Sequence, residues 1–307
     1  MPTIRTNGIQ TYYEEYGEGL PIVFLHGATS DHRLWAEQAR PLASDYRVIT
    51  YDLRGHGRTG GSERGSYTME LYADDLGALV TALDLDRPAI CGLSMGGMVA
   101  QTYAAESPDT IAALCTLGTL TPELLSCGEW VERRLVPKLA DTLSPLIEPD
   151  RIMGILDRVY DWKYGEEAIG DLEEIGRIQQ AHAEKFPEIL ETELAKVDDM
   201  LTSYPLTTVD HASISVPSLL MYGERETKTA ARHAEHMASM IPVAETRRIP
   251  NAGHNSHVDN PDFVIDLLRE LLDTATDDRH GTDPSVDERR STPLAVASSL
   301  RDWVTKS

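Results

Sequence analysis

The sequence predicts an α/β protein, a mostly parallel sheet wrapped by helices, on three observations. Short apolar runs rich in Val, Ile and Leu alternate with longer stretches of helical period. One of these runs, Ala89–Leu93, ends in a Gly-Leu-Ser-Met-Gly turn that opens straight into a helical stretch. The strand signal then stops from about residue 120 to 211 and resumes with another run, as it would if a helical insertion interrupted one sheet.

Taken in order, Ile9–Glu15 alternates apolar and polar residues and reads as an antiparallel edge strand. Pro21–His26, Arg47–Asp52, Ala89–Leu93, Ile111–Leu117 and Ser218–Tyr222 read as buried strands, with Glu245–Ile249 the last strand. Asp31–Ala43, Met69–Leu83, Met95–Glu106, Thr229–Met240 and Pro261–Leu272 read as helices. The core therefore comprises residues 1–119 and 212–273. Residues 120–211, broken by prolines such as Pro122, Pro145 and Pro187, read as a helical cap over the site. Residues 274–307 are an acidic, polar linker and C-terminal tail with too little apolar content to bury, apart from Leu294–Val304.

Composition narrows the function classes. Acidic residues outnumber basic ones 50 to 28 in a chain of 307 residues, a balance opposed to the clustered positive charge that nucleic-acid phosphates require. No apolar run is long enough to span a bilayer, and Met1–Thr6 lacks the regions of a signal peptide, so a soluble, cytoplasmic chain is expected. Cys91, Cys115 and Cys127 form neither an even disulfide set nor a metal-ligand spacing, and the first two fall in strands and are expected to be buried thiols.

Gly92-Leu93-Ser94-Met95-Gly96 fits the pattern in which a strand turns sharply into a helix and holds a serine in a strained conformation with its hydroxyl exposed. A serine hydroxyl becomes a competent nucleophile when an imidazole accepts its proton, so a histidine should follow on a loop that returns over the sheet. His254, in Asn251-Ala252-Gly253-His254, is that candidate. His257 is the local rival, although its place at the edge of the following helix suits a solvent-exposed or capping role. A metal site at His254-x-x-His257 has no third ligand nearby, and no cofactor is expected.

A carboxylate must fix the imidazole tautomer, and it should lie between the serine and the histidine in the chain. Glu226, after the strand Ser218–Tyr222, is the choice; Glu224 and the more distant Glu123 remain open. Negative charge developing on a carbonyl oxygen needs two N–H donors. Met95, at the helix start, supplies one, and Ala28, in the small turn His26-Gly27-Ala28, the other. His26 reads as a structural hydrogen-bonder of that loop.

With these residues placed, the chain resembles the α/β-hydrolase superfamily, and within it the cofactor-independent haloperoxidase-like esterases and 3-oxoadipate enol-lactonases. The resemblance spans about residues 8–273. It rests on His26–Ala28, Tyr51–Gly57, Gly92–Gln101, Tyr222–Glu226 and Asn251–His257, in the family's order. It implies the α/β-hydrolase fold and a serine hydrolase that cleaves a small-molecule carboxylic ester or lactone through an acyl-enzyme. It also makes Asp52–Gly57 a structural turn near the site. The family usually carries Asp where Glu226 stands, so the extra methylene must be accommodated. The same scaffold also fits a non-hydrolytic ligand-binding homologue, or hydrolysis of another bond type such as C–C or thioester, or peracid formation.

The net charge of −22 carries a separate expectation. Six of the 28 basic residues are lysines, and such an acidic, lysine-poor surface is like that of proteins from salt-rich cytoplasm. Molar salt shortens the screening length to about 3 Å and removes most of the self-repulsion. Thermal melting should therefore give a higher midpoint in molar KCl than in dilute buffer; equal midpoints would count against salt adaptation.

Overall fold

The computed structural model describes residues 2–135, 138 and 187–281. Asn7 and Gly8 both take positive φ, 22° and 83°, and so reverse the chain between β1 (Thr3–Thr6) and β2 (Ile9–Tyr16), an antiparallel hairpin in which Thr3 pairs with Tyr12. The strand β1 was not expected from the sequence. Its signal was the Asn-Gly dipeptide, which favours the positive φ that tight hairpin turns need.

The remaining strands are β3 (Pro21–Leu25), β4 (Arg47–Tyr51), β5 (Ala89–Leu93), β6 (Ala113–Leu117), β7 (Ser218–Gly223) and β8 (Ala244–Ile249). They form one eight-stranded sheet in the order β1-β2-β4-β3-β5-β6-β7-β8, antiparallel at the first two pairings and parallel thereafter. This is the architecture expected from the sequence, with β3 at its centre. From β3 the chain first goes to one side for β4, then returns to the other for β5. That reversal opens a crevice at the C-terminal ends of β3 and β5, where open α/β sheets place their ligands.

Both faces of the sheet are covered, which is why its central strands are apolar throughout. On one face Val23, Leu25, Ile90 and Leu114 pack with α2 (Met69–Ala82) and α3 (Met95–Glu106) through Tyr72, Leu76 and Val99. On the other, Ile22, Phe24, Cys91 and Cys115 pack with Trp35, with α1 (Ala36–Leu42) and with the last described helix, Pro261–Gly281. The alternation along each strand follows the two-residue period of side-chain direction. Cys91 and Cys115 are buried, as expected, whereas Cys127 is exposed.

Most of the expected cap, residues 139–186, and the tail 282–307 lie outside the described residues. The flanks of the insertion are described. A short helix α4 (Cys127–Trp130) follows β6, and α5 (Pro187–Ser203) returns to the core, burying Val197 and Met200. The helices α6 (Lys228–Met240), α7 (Ser256–Asp259) and α8 (Pro261–Gly281) complete the described part of the chain. The last helix runs eight residues past the boundary expected at 273. Ala275 is buried there, and the Thr274 and Thr276 hydroxyls donate to the carbonyls of Glu270 and Leu272 one turn earlier. No helix among the described residues is long and apolar enough to cross a membrane.

A buried ion pair ties the loop after β4 to α2. Arg54 donates to both oxygens of Asp75, at 2.7 and 2.6 Å, and also to the carbonyl of Asn7, whose own amide donates to Asp75. Removing one partner leaves a buried charge uncompensated, so Asp75→Ala should cost about 3–5 kcal/mol in urea unfolding, and the double variant Arg54→Met/Asp75→Leu should lose less.

Candidate active site

The nucleophile candidate sits in the crevice at the switch of strand order. Ser94 has φ 52° and ψ −116°, a conformation that side chains rarely adopt, between the end of β5 and the start of α3. Its backbone is held on both sides. The Ser94 N–H donates to Leu117 O at 2.9 Å, and Ser94 O accepts from Met98 N and from the Thr119 hydroxyl. So tight a turn needs glycines where it crosses its neighbours. A Cβ on Gly92 would fall 2.2 Å from Gly96 O, and one on Gly96 would fall 2.4 Å from Leu25 O.

The Gly96 contact also sets the first turn of α3 against the end of β3, so the Met95 and Ala28 backbones belong to adjacent segments. The His26-Gly27-Ala28 turn lies beside the serine, since a Cβ on Gly27 would sit 3.6 Å from the Ser94 Cβ. His26 holds this loop: its Nε2 accepts from Leu53 N at 3.0 Å, and its Nδ1 lies 2.7 Å from Gly27 O. It therefore has the structural role expected from the sequence.

His254 and Glu226 are brought together. His254 Nδ1 lies 2.6 Å from Glu226 Oε1, and Glu226 Oε2 accepts from Gly223 N at 3.1 Å. The carboxylate thus fixes the imidazole with its proton on Nδ1, leaving Nε2 to accept another. Glu226 is 2% exposed at its side chain and His254 31%. Gly118, which the sequence reading did not single out, makes room for the pair. With φ at 51°, a Cβ there would meet Glu226 Oε1 at 2.7 Å and His254 Nδ1 at 2.8 Å. Its sequence signal was a glycine immediately after the apolar run of β6. Because Leu117 takes the Ser94 N–H, Ser94 and the His254–Glu226 pair flank two consecutive residues at the end of β6.

The rival acids have other places. Glu224 Oε2 accepts from Asn251 N at 3.0 Å, and its other oxygen lies 3.4 Å from Arg248. Glu123 lies beyond β6, where its carbonyl accepts from Arg133. Glu226 also lines a cleft of 730 Å³ with Ser126, Lys228 and Arg232; neither Ser94 nor His254 lines it.

His257 requires a correction. It is 0% exposed, with its ring 4.5 Å from that of Trp35, instead of holding a solvent-exposed or capping position. The short helix α7 turns this residue inward onto the face covered by Trp35, and Gln38 donates to its carbonyl. A second His–Glu pair lies nearby in sequence: His233 Nε2 is 3.1 Å from Glu129, while its Nδ1 accepts from Thr121 N.

The expected structural turn Asp52–Gly57 forms a network. Asp52 Oδ1 accepts from both the backbone N and Nδ1 of His32, and its Oδ2 from Arg58 N. Asp31, His32 and Asp52 place their ligand atoms within 4.8 Å of one another. Arg33 already occupies both oxygens of Asp31, and Asp52, Asp31 and Glu14 raise the His32 pKa against the lowering effect of burial. An imidazole held toward its protonated form and a guanidinium on Asp31 leave this cluster poorly suited to a cation.

The same balance separates the histidines at the site. Burial lowers the His254 pKa, but the Glu226 carboxylate outweighs it and holds His254 above its ordinary 6.5. Burial pushes His257 down to about 3, with His254 as a further lowering charge. A titration of the imidazole nitrogens by NMR should show His254 protonating above pH 6.5 and His257 still neutral at pH 4.

A sequence model of the alpha/beta hydrolase family matches residues 22–267. A non-heme haloperoxidase from Rhodococcus erythropolis is 29% identical over 87% of this chain and 98% of its own. A 3-oxoadipate enol-lactonase from Acinetobacter baylyi is 26% identical over 80% and 86%. The structure of a thermophilic esterase from Thermogutta terrifontis superposes with a TM-score of 0.68 at 27% identity, covering 89% of this chain and 98% of that one. With the family's pattern running from β3 into α8 and its fold formed around the strained serine, the chain belongs to the alpha/beta hydrolase family.

Proposed function

We propose that the protein is a serine hydrolase that cleaves small-molecule carboxylic esters or lactones. The observation that carries this reading is the His254–Glu226 hydrogen bond at 2.6 Å, packed on Gly118, which follows the Leu117 that accepts the N–H of Ser94 in its strained strand-to-helix turn. Ser94 Oγ attacks the carbonyl carbon as His254 Nε2 takes its proton, and Glu226 stabilises the imidazolium that forms. The Met95 and Ala28 N–H groups donate to the developing oxyanion, the first aided by the dipole of the twelve-residue helix α3. His254 then protonates the leaving alkoxide, and water, activated by the same imidazole, releases the acid.

The ester or lactone choice is supported by the esterase and lactonase relatives. A non-hydrolytic role drew its support from glutamate standing in place of aspartate. Glu226 spans the extra methylene by folding its second oxygen back onto Gly223 N, so this substitution does not argue against catalysis.

A fluorophosphonate probe and a p-nitrophenyl ester test the proposal. Ser94→Ala should lose labelling and drop kcat by on the order of a million-fold; labelling that persists would remove the nucleophile. Glu226→Gln should lower kcat on the order of ten-thousand-fold, and its acid limb in kcat/KM should move to lower pH because the charge that raises the His254 pKa is gone. Glu224→Gln should leave kcat near wild type. Loss at Glu224 alone would overturn the choice of acid.

A further inference from the structure

The turn that carries His254 is held by hydrogen bonds at two successive peptide groups, Asn251–Ala252 and Ala252–Gly253, from residues outside the His254–Glu226 pair. Gly253 N donates to Asp259 Oδ2 at 2.6 Å, and the Asp259 side chain is 4% exposed. Arg225 N donates to Ala252 O at 2.8 Å, and its guanidinium donates to Asn251 O at 2.7 Å. The same guanidinium lies 3.9 Å from Asp259 Oδ2, a charge partner for a carboxylate otherwise costly to bury. From the other side, Gly223 brings its backbone so close that a Cβ there would fall 2.1 Å from Gly253 O.

We propose that Asp259 and Arg225 are positioning residues, which hold the Asn251–Gly253 turn so that His254 stays in register with Glu226. The inference rests on the reading of His254 as the base. Arg225 and Glu226 are adjacent, so one segment grips the turn and the imidazole together, while Asp259 closes the grip from α7. Asn251 takes φ at 56°, so the turn has an unfavourable conformation to relax from once its partners are lost. A carboxylate accepting the N–H of the residue before the base fixes the plane of the Ala252–Gly253 peptide, and with it the path on which the chain reaches His254.

The test compares Asp259→Ala, Asp259→Asn and Arg225→Ala with wild type on the p-nitrophenyl ester, alongside the low-field proton signal of His254 Nδ1–H, identified by its absence in His254→Gln. Asp259→Ala should lower kcat by about 10- to 100-fold with KM unchanged, the scale on which small misplacements act, and should broaden or remove the low-field signal. Asp259→Asn keeps an acceptor oxygen and should recover most of both. Arg225→Ala should fall between wild type and Asp259→Ala, and it carries the test if Asp259→Ala does not fold. A kcat within twofold of wild type with an intact signal in Asp259→Ala, or in Arg225→Ala if that must stand in, overturns the proposal. So does an Asn variant as impaired as Ala. Because the NMR signal needs no substrate, the positioning role stays testable if Ser94→Ala should show the hydrolase reading to be wrong.

Discussion

Parallel pairing brings Leu93, Leu117 and Met221 level across β5, β6 and β7, and the strained serine and the His254–Glu226 pair hang from that line. Strands β5 and β6 end level and β7 two residues later, so the segments that follow emerge side by side: Ser94 after β5, Gly118 after β6 and Glu224–Glu226 after β7. The pairing of Gly223 with Ile249 extends the line to β8 and delivers the turn that carries His254. A slip of one residue in any of these pairings would also turn each strand's side chains to the opposite face. The buried core on both sides of the sheet therefore fixes the site geometry, because the same register satisfies both.

Much of this order was legible in the sequence because each part has a local cause. A buried parallel strand must be largely apolar, which marked β3 to β7. The Gly-x-Ser-x-Gly turn needs its glycines for a backbone crossing at about the van der Waals limit, so sequence and geometry carry the same information there. What could not be read lay in contacts between distant segments. Gly118 has an evident role only once Glu226 and His254, more than 100 residues away, are folded against it. His257 was misread for the same reason: its sequence neighbours indicate a helix edge, and only the packing of Trp35 turns that edge inward. The strand β1 was missed through a turn signal that is local and was available in Asn7-Gly8.

The choice among Glu224, Glu226 and Glu123 shows where spacing stops being informative. Glu224 and Glu226 follow one strand, two residues apart, and either could be drawn toward His254 on paper. The chain separates them because β7 and β8 pair as far as Gly223 and Ile249, and Glu224 N continues that ladder by donating to Ile249 O. Glu224 is thus still aligned with the strand edge, where its carboxylate meets Asn251 N. The chain turns back only at Glu226, whose N–H donates to Gly223 O, and this directs its carboxylate inward.

Comparing the His254–Glu226 and His233–Glu129 pairs shows that such a pair alone does not make a base. His233 meets Glu129 at 3.1 Å much as His254 meets Glu226, yet burial dominates there and its pKa falls to about 4. Its remaining nitrogen already accepts the Thr121 N–H, so a proton taken there would break a buried hydrogen bond, and the ring works as a tie between α6 and the segment after β6. His254 differs in its surroundings. Its ring is partly open, it packs on Gly118 next to the Leu117 that takes the Ser94 N–H, and its carboxylate outweighs the effect of burial. A proton accepted by His254 is therefore stabilised by its partner, while one accepted by His233 is opposed by its setting. That asymmetry, set by packing around the rings, is what distinguishes a candidate general base among ten histidines.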